Sequence, residues 1–523
     1  MPQTREHLAI AEQLGVSRGI PVITKTDLVD PEWADIVCLE VAEWLSRSTI
    51  DFEPPILVSA TKSSGLDQLR SAIGKAAAEI VRRDPGDLFR LPVDRSFSVA
   101  GTGTVVTGTG WSGTIAPGDR VQLMPSRREA RVRSVEIHGK PVDRSVPGRR
   151  VALGLAGIDR EEVHRGDVVV QASGGWEPTQ ALDVLIRLLP DTRPLVLRSR
   201  VRLHLGTAEV LARVHPRGPL HPGEVGTARL ALEAPTIARA GDRFVLRSYS
   251  PVVTIGGGEI LDPIPPRRRA LWPAGLGHPR REDRIQALWA RRPHGVHQGQ
   301  LALFTGLPSD AAAELMREAD AYRLAGDRWV SQSVVDDLAT TVTARLEEFH
   351  RTRPSDPGMS LSELRESLRS APWIVTAALA DLERGGKLAS HDGLVRLAGF
   401  TPSVTGGNAQ VQLVVATIEK AGLMPPSTAE LAVSLGIADL LPTLRLAAAD
   451  GLVEPVERDR YYSRSSLETF RKTIRAVAAE GEITPGQLRD RLGISRKYLI
   501  PLLEWADRQG ITVRAGEGRR LKD

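Results

Sequence analysis

From about residue 280 onward the chain repeats itself at a spacing of roughly 60 residues, and a repeat of that length limits the fold before any single residue is weighed. Each copy reads as a helix, a short helix, a longer helix ending near a glycine, and a brief β tail. In the last copy these are residues 467–479, 485–492, 496–509 with Gly510, and 511–521. In the copy before it they are 410–420, 428–435, 438–450 with Gly451, and 452–462. Two earlier copies show their final turn at Gly326-Asp327 and at Asp392-Gly393. Three helices followed by a two-stranded wing predict four winged helices in tandem, over residues 278–331, 332–400, 406–463 and 464–523. Stacked helical hairpins are the rival, and they lack β tails.

The first half differs in kind. Ahead of the Arg267-Arg268-Arg269 run, Gly, Val and Pro are frequent, and short β-type stretches are separated by turn signals such as Pro117-Gly118-Asp119 and Pro147-Gly148. This half is mostly β; after residue 270, apolar residues three and four apart mark a half that is mostly α. A length of 523 residues excludes one compact domain. With 41% hydrophobic and 25% charged residues, the chain is not mainly disordered. Apolar runs such as Leu301-Ala-Leu-Phe304 fall far short of the roughly 18 residues a membrane span needs. Met1-Pro-Gln-Thr-Arg-Glu-His7 lacks the apolar core of a secretory signal, and Cys38 alone builds no disulfide framework. A cytoplasmic chain with no membrane partner is expected.

Basic residues number 69 against 64 acidic, and only nine of the 69 are lysine. The imbalance concentrates at the end: residues 484–523 hold nine Lys/Arg against five Asp/Glu. That tail is a candidate polyanion contact.

The first 86 residues have the order strand, helix, strand, helix, with ligands expected at the carboxyl ends of the strands. Ile20-Pro-Val-Ile-Thr-Lys-Thr-Asp27 ends one strand in Thr24-Lys25-x-Asp27, and Ile56-Leu-Val-Ser-Ala60 ends the next in Ser59-Ala60. In GTPases a carboxylate at such a place accepts from the guanine edge, a lysine stem covers the ring, and a backbone N–H after the serine meets the carbonyl oxygen. Asp27, Lys25 and Ala60 suit those roles, beside Thr24 and Ser59. A lone Lys25-Thr-Asp27 would be no more than an exposed strand-to-helix loop; its pairing with Ser59-Ala60-Thr-Lys62 favours the guanine reading. Phosphate binding needs a glycine-rich loop ending in Gly-Lys-Ser/Thr before a helix, and that tripeptide occurs nowhere in the chain. Asp490-Arg-Leu-Gly493 and Asp507-Arg-Gln-Gly510 match a bare Asp-x-x-Gly switch motif by chance, inside the last copy. A helix over 4–14 would open the chain in mid-domain, leaving the strand at 22–24 short of sheet neighbours.

Across its length the chain resembles the bacterial selenocysteine-specific translation elongation factors. Gln3-Thr-Arg-Glu-His-Leu8 is similar to the segment after the family's switch region, and Thr24-Lys-Thr-Asp27 to its guanine motif. Leu91-Pro-Val-Asp-Arg-Ser-Phe97 with Gly101-Thr-Gly-Thr-Val-Val-Thr-Gly108 is similar to the entry of the translation-factor barrel; a dinucleotide-binding reading of Gly101-x-Gly103 fails because β-type residues follow. Arg247-Ser-Tyr-Ser-Pro251 with Thr254-Ile-Gly-Gly-Gly258 resembles the third-domain signature, and Ser495-Arg-Lys-Tyr-Leu-Ile-Pro-Leu-Leu-Glu504 the RNA-binding winged helix.

The resemblance implies a multidomain chain: the second half of a P-loop-type α/β GTPase domain (1–86), two β-barrels (87–174 and 175–266) and the four winged helices. It implies selenocysteinyl-tRNA, a messenger RNA hairpin and the ribosome as partners of a monomer, with GTP and Mg2+ serving the complete family domain. This chain departs from the family in lacking the phosphate loop, both switch regions and the catalytic His, so weak GTP binding, no metal site and no catalytic residue are expected. Asp94, Arg95, His138 and Arg150 are the implied aminoacyl contacts, forming a cationic pocket for a selenolate. Arg496, Lys497, Arg514, Arg519 and Arg520 are the implied RNA contacts, with Arg496 and Lys497 in the first turn of a helix capped by Ser495. The rivals are an RNA-binding fragment without GTPase activity and a winged-helix transcription regulator.

Overall fold

The computed structural model describes residues 2–80, 84–99, 101, 103–266, 272–278, 280–403, 407–515 and 518–522. The arginine run at 267–269 lies outside the described residues. The chain divides into two compact units, with the boundary between Gln332 and Ser333.

The first unit opens with the helix Pro2–Gln13, followed by two parallel strand pairs. Arg18–Gly19 pairs with Asp51–Phe52, and Val22–Thr24 with Ile56–Val58. The crossover is the helix Pro31–Leu45, begun by Asp30 with Pro31 at its first position, where the missing N–H costs nothing. Helix Leu66–Ala78 follows from Gly65, which is left-handed and whose Cβ, if it had one, would strike the Leu57 carbonyl. Among the described residues no further strand joins Val22–Thr24. Burial in this segment is thin. Its buried apolar residues are Ala34, Leu45, Ile50, Ile56 and Val58, while Leu28, Trp33, Ile36 and Leu39 are 73%, 59%, 54% and 73% exposed.

Two closed antiparallel barrels follow. Around the first run Arg150–Ala156, Gly103–Thr109, Arg90–Val99, Val168–Gln171, Arg120–Met124 and Arg128–Ile137, the last closing back on Arg150–Ala156. The second runs Thr179–Leu188, Val225–Thr236, Ala208–Pro216, Arg200–Leu205, Arg243–Ser248 and Thr254–Asp262. Period-two patterning fills it: Leu182, Val184, Ile186 and Leu188 all point inward and are buried. The triple glycine Gly256-Gly257-Gly258 has a packing reason as well. A Cβ on Gly257 would meet the Phe244 carbonyl and the Gln13 side chain, so the opening helix docks on this strand only because the strand is bare.

The first winged helix completes this unit with Arg281–Arg291, Leu301–Thr305, Ser309–Glu318 and the strands Ala321–Leu324 and Arg328–Ser331. It is held to the second barrel by buried ions. Arg291, fully buried, pairs with Asp183 and lies 3.0 Å from Asp262; Arg229 also holds Asp183, and Arg292 also holds Asp262. Removing one partner of such a network leaves a charge buried alone, typically at a cost of about 3–5 kcal/mol.

The second unit contains three more copies. The first is Gln332–Thr352, Leu361–Ser367 and Pro372–Arg384 with strands Leu388–His391 and Leu394–Leu397. Next come Gly407–Ala421, Thr428–Leu435 and Leu441–Ala449 with Val453–Glu457 and Arg460–Ser463, then Arg464–Glu480, Pro485–Leu492 and Arg496–Arg508 with Thr512–Ala515 and Gly518–Leu521. Two details differ from expectation. The first two copies add a third strand to the wing, Val296–His297 and Met359–Ser360. The helix expected from 438 starts at Leu441, because Pro442 fits only a first turn. The last two copies also share one core, in which Val456 and Tyr462 pack with Leu467, Phe470, Leu499 and Trp505.

Candidate functional site

Strand ends bring the guanine-type residues together. Lys25 leaves the strand Val22–Thr24 with φ 62° and ψ 35°, a left-handed backbone that a non-glycine residue adopts at some cost. That bend brings Asp27 to the end of the neighbouring strand. Buried Ser59 donates to Asp27 Oδ1 at 2.6 Å, Thr61 donates to Oδ2 at 2.9 Å, and the Lys62 N–H donates to Ser59 Oγ at 3.2 Å. The Ser59 and Thr61 hydroxyls hold the Asp27 carboxyl below the ordinary aspartate value. A carboxylate has about four acceptor sites, so each oxygen keeps one for a base-edge N–H. Thr24, Lys25 and Ala60 stay exposed at the same edge. These residues fit a guanine base; Thr61 is the member that sequence reasoning missed.

The barrel candidates meet at one rim. Arg150 donates to Asp94 at 2.6 and 3.0 Å, and Thr107 donates to Asp94 at 2.7 Å. Partial burial pushes the Asp94 carboxyl up, but the hydrogen bonds from Arg150 and Thr107 and the charges of Arg150 and Arg95 outweigh it, leaving it below the usual value. Strand register places Arg95 opposite Thr107, two positions along from Thr109, which faces Arg150. His138, left-handed at φ 53°, follows Ile137, which pairs with Val151, so it extends the ladder toward Arg150. Arg95 and His138 are exposed. The four predicted residues are two guanidiniums, an imidazole and one carboxylate, and that carboxylate is matched by Arg150.

The terminal helix Arg496–Arg508 follows Ser495, which holds the N-cap position but, contrary to expectation, makes no side-chain capping hydrogen bond, and Arg496 and Lys497 are exposed in its first turn. No ion-pair partner meets either among the described residues, and the helix dipole opposes both. The wing candidates divide. Arg514 and Arg520 are exposed, whereas Arg519 is buried and donates to Asp507 at 2.9 and 3.2 Å, so its charge is spent inside the fold.

One contact joins two motifs that the sequence left separate. Glu6, in the opening helix, accepts from Thr254 at 2.8 Å and from Arg247 at 3.1 Å. The Thr254 hydroxyl, aided by the Arg247 charge against a smaller opposing effect of burial, holds Glu6 below the ordinary glutamate value. The helix is thereby tied to the second barrel.

Part of an α/β nucleotide domain, two six-stranded barrels and a winged-helix tail together define a translation elongation factor. Residues 103–170 match domain 2 of elongation factor Tu, and residues 182–267 match the β-barrel domain of the selenocysteine-specific elongation factor. Residues 343–397 and 475–521 match winged helices of elongation factor SelB. Over its full length the chain is 31% identical to the selenocysteine-specific elongation factor of Desulfomicrobium baculatum, covering 86% of that protein. It is 29% identical to that of Escherichia coli K12, covering 84%. The chain belongs to the selenocysteine-specific elongation factor family. The crystal structure of bacterial selenocysteine-specific elongation factor EF-Sec shares the fold, with a TM-score of 0.64 at 24% identity over the whole of this chain and 84% of that one.

Proposed function

We propose that this chain carries selenocysteinyl-tRNA to a ribosome halted at a UGA codon, holding the aminoacyl group at the rim of the first barrel and a messenger hairpin with the terminal winged helix. The observation that carries this reading is the cationic excess at that rim. A selenol is ionised at neutral pH where a serine hydroxyl is not and a cysteine thiol mostly is not, so an unmatched guanidinium selects it by charge. Arg95 is the charge left to meet the selenolate; Arg150 is fixed by Asp94 and shapes the pocket; His138 closes the rim beside it.

GTP, when bound, supplies the family's switch between tRNA-holding and tRNA-releasing states. Thr24, Lys25, Asp27, Ser59 and Ala60 would hold its base. No Gly-Lys-Ser/Thr occurs in the 523 residues, so neither the triphosphate nor Mg2+ has an assigned contact in this chain, and base binding alone is weak. A second reading, an RNA-binding protein without GTPase activity, is favoured by the exposed Arg496 and Lys497 in the first turn of the terminal helix.

The test is equilibrium binding of selenocysteinyl-tRNA and seryl-tRNA, with GTP, to the chain fused behind the phosphate-loop segment of the Desulfomicrobium baculatum relative. Preference for the selenocysteinyl form supports delivery. Equal affinities would sink it and leave the RNA-binding reading.

A further inference from the structure

The terminal recognition helix lies between two hairpins, and they meet it differently. Its own wing is fastened at the helix's far end, where Thr512 donates to Asp507 at 2.6 Å and Arg519 is consumed by the same carboxylate. The other hairpin, Val453–Glu457 with Arg460–Ser463, belongs to the preceding copy and runs the length of the helix. At the far end Trp505 Nε1 donates to Glu454 at 2.6 Å, Gln509 donates to Glu454 at 3.1 Å, and Arg508 donates to the Val456 carbonyl at 2.7 Å. At the near end the Arg460 guanidinium stands 5.5 Å from the centre of the Tyr498 ring, which Lys497 Nζ approaches to 5.6 Å from its own turn. The hairpin tip therefore ends beside the helix's basic first turn.

That tip is fixed in place. The Thr428 N–H donates to the Asp459 carbonyl at 2.8 Å, and Glu457 pairs with Arg460 at 3.3 Å. Ser427 hydrogen bonds hold Glu430 below the ordinary glutamate value, and the charges of Lys497 and Arg460 add to the effect, so the start of the preceding copy's second helix also faces this turn. Among these groups Arg460 is buried and matched by Glu457 and Asp459. Arg458, at the apex, is exposed and has no ion-pair or hydrogen-bond partner among the described residues. Shared core residues Val456 and Tyr462 keep the hairpin from swinging away.

We infer that the RNA-contacting surface is composite: Arg458 of the preceding copy grips the phosphate backbone of the hairpin whose other contacts come from Arg496 and Lys497. The preceding hairpin acts as a second wing. This rests on the terminal helix being the RNA reader, and the experiment keeps the two ideas apart.

The full chain is titrated with the RNA hairpin that follows an in-frame UGA in a selenoprotein message of the same genome, over a salt series, with circular dichroism on every variant. Arg458→Ala is expected to weaken binding about threefold to tenfold and to lower the salt slope by roughly 0.7–0.9, the loss of one phosphate contact. Arg458→Glu is expected to weaken it further. Arg365→Ala, the same charge change on the first copy of this unit, is expected to bind like the parent. If Arg458→Ala and Arg458→Glu bind like the parent while Arg496→Ala/Lys497→Ala does not, the composite surface is wrong and the helix reads alone. If Arg365→Ala weakens binding as much as Arg458→Ala, net charge is the cause and the proposal falls. If the helix double variant also binds like the parent, the RNA-reading role of the helix falls with it.

Discussion

Arg150 and Asp94 face each other across the rim of the first barrel in two parallel hydrogen bonds, 2.6 and 3.0 Å long, so one of the rim's guanidiniums is neutralised before any ligand arrives. Paired forks of this kind fix geometry as well as charge. The two arginines are therefore expected to behave differently.

Arg95→Ala should reduce the preference for selenocysteinyl- over seryl-tRNA by about tenfold to a hundredfold, the equivalent of the roughly 1.5–3 kcal/mol of a charge-assisted hydrogen bond. Arg150→Ala should weaken both tRNAs more evenly, because it frees Asp94 to repel the selenolate and also loosens the rim. The ratio of the two dissociation constants in the phosphate-loop fusion is the measurement. Equal effects of both variants on that ratio would remove the division of roles.

Nucleotide binding by the chain alone should be weak and indifferent to phosphates. At about 0.3 kcal/mol per non-hydrogen atom, a guanine base supplies roughly 3–4 kcal/mol, a millimolar dissociation constant. Guanosine, GDP and GTP should then bind within about threefold of one another by calorimetry, and Asp27→Ala should abolish all three. Micromolar GTP binding would contradict this. Ser59 and Thr61 lower the Asp27 pKa, so its carboxylate persists below the ordinary aspartate range. Binding should stay flat from neutral pH into mild acid and disappear only as pH falls through that lowered value.

Tyr462 is fully buried and its hydroxyl has no hydrogen-bond partner among the described residues, with burial pushing its ionisation far up. Tyr462→Phe should stabilise the last two copies by about 1 kcal/mol, since an unpaired buried hydroxyl is removed while the ring stays. Residues 464–523 expressed alone lose both Tyr462 and Val456 from their core and should melt well below a fragment spanning 406–523. Denaturant midpoints of parent, Tyr462→Phe and the two fragments decide both points.

Much of this fold was legible because it is periodic. Alternation in the barrels and the recurring helix–helix–helix–wing pattern need only local information, and the Thr484-Gln487 capping box and the Gly493 and Gly510 turns formed where the residues demanded. The candidate site was only partly legible. The clustering of Asp27 with Ser59 followed from strand order, but Thr61's share in holding the carboxylate did not. Glu6 with Arg247, and Glu454 with Trp505, join residues 241 and 51 positions apart, and no local pattern announces such pairings. Arg519 shows the same limit: in the sequence it reads as a free wing arginine, and only the fold brings Asp507 against it.

His350 sits buried, stacked on Phe400 with ring centres 3.6 Å apart, and neither ring nitrogen has a hydrogen-bond partner among the described residues. Burial, with a smaller push from Arg396, lowers its pKa, so the folded state binds this proton less readily than the unfolded one. Stability is then fullest above the unfolded histidine value near 6.5 and falls as pH drops through it. In calorimetry the transition of this winged helix should move down between pH 7.5 and 5.5 in the parent and much less in His350→Leu. An equal movement in both would show that another group titrates.

The bare side of the helix Pro31–Leu45 has a practical consequence. Trp33, 59% exposed among neighbours that are themselves mostly exposed, is a built-in optical reporter of whatever comes to lie on that helix. In water its indole should emit at long wavelength. When the face is covered, by an α/β partner segment or by another copy of the chain at high concentration, the emission should shift to the blue, and the difference spectrum between parent and Trp33→Phe isolates it from the other tryptophans.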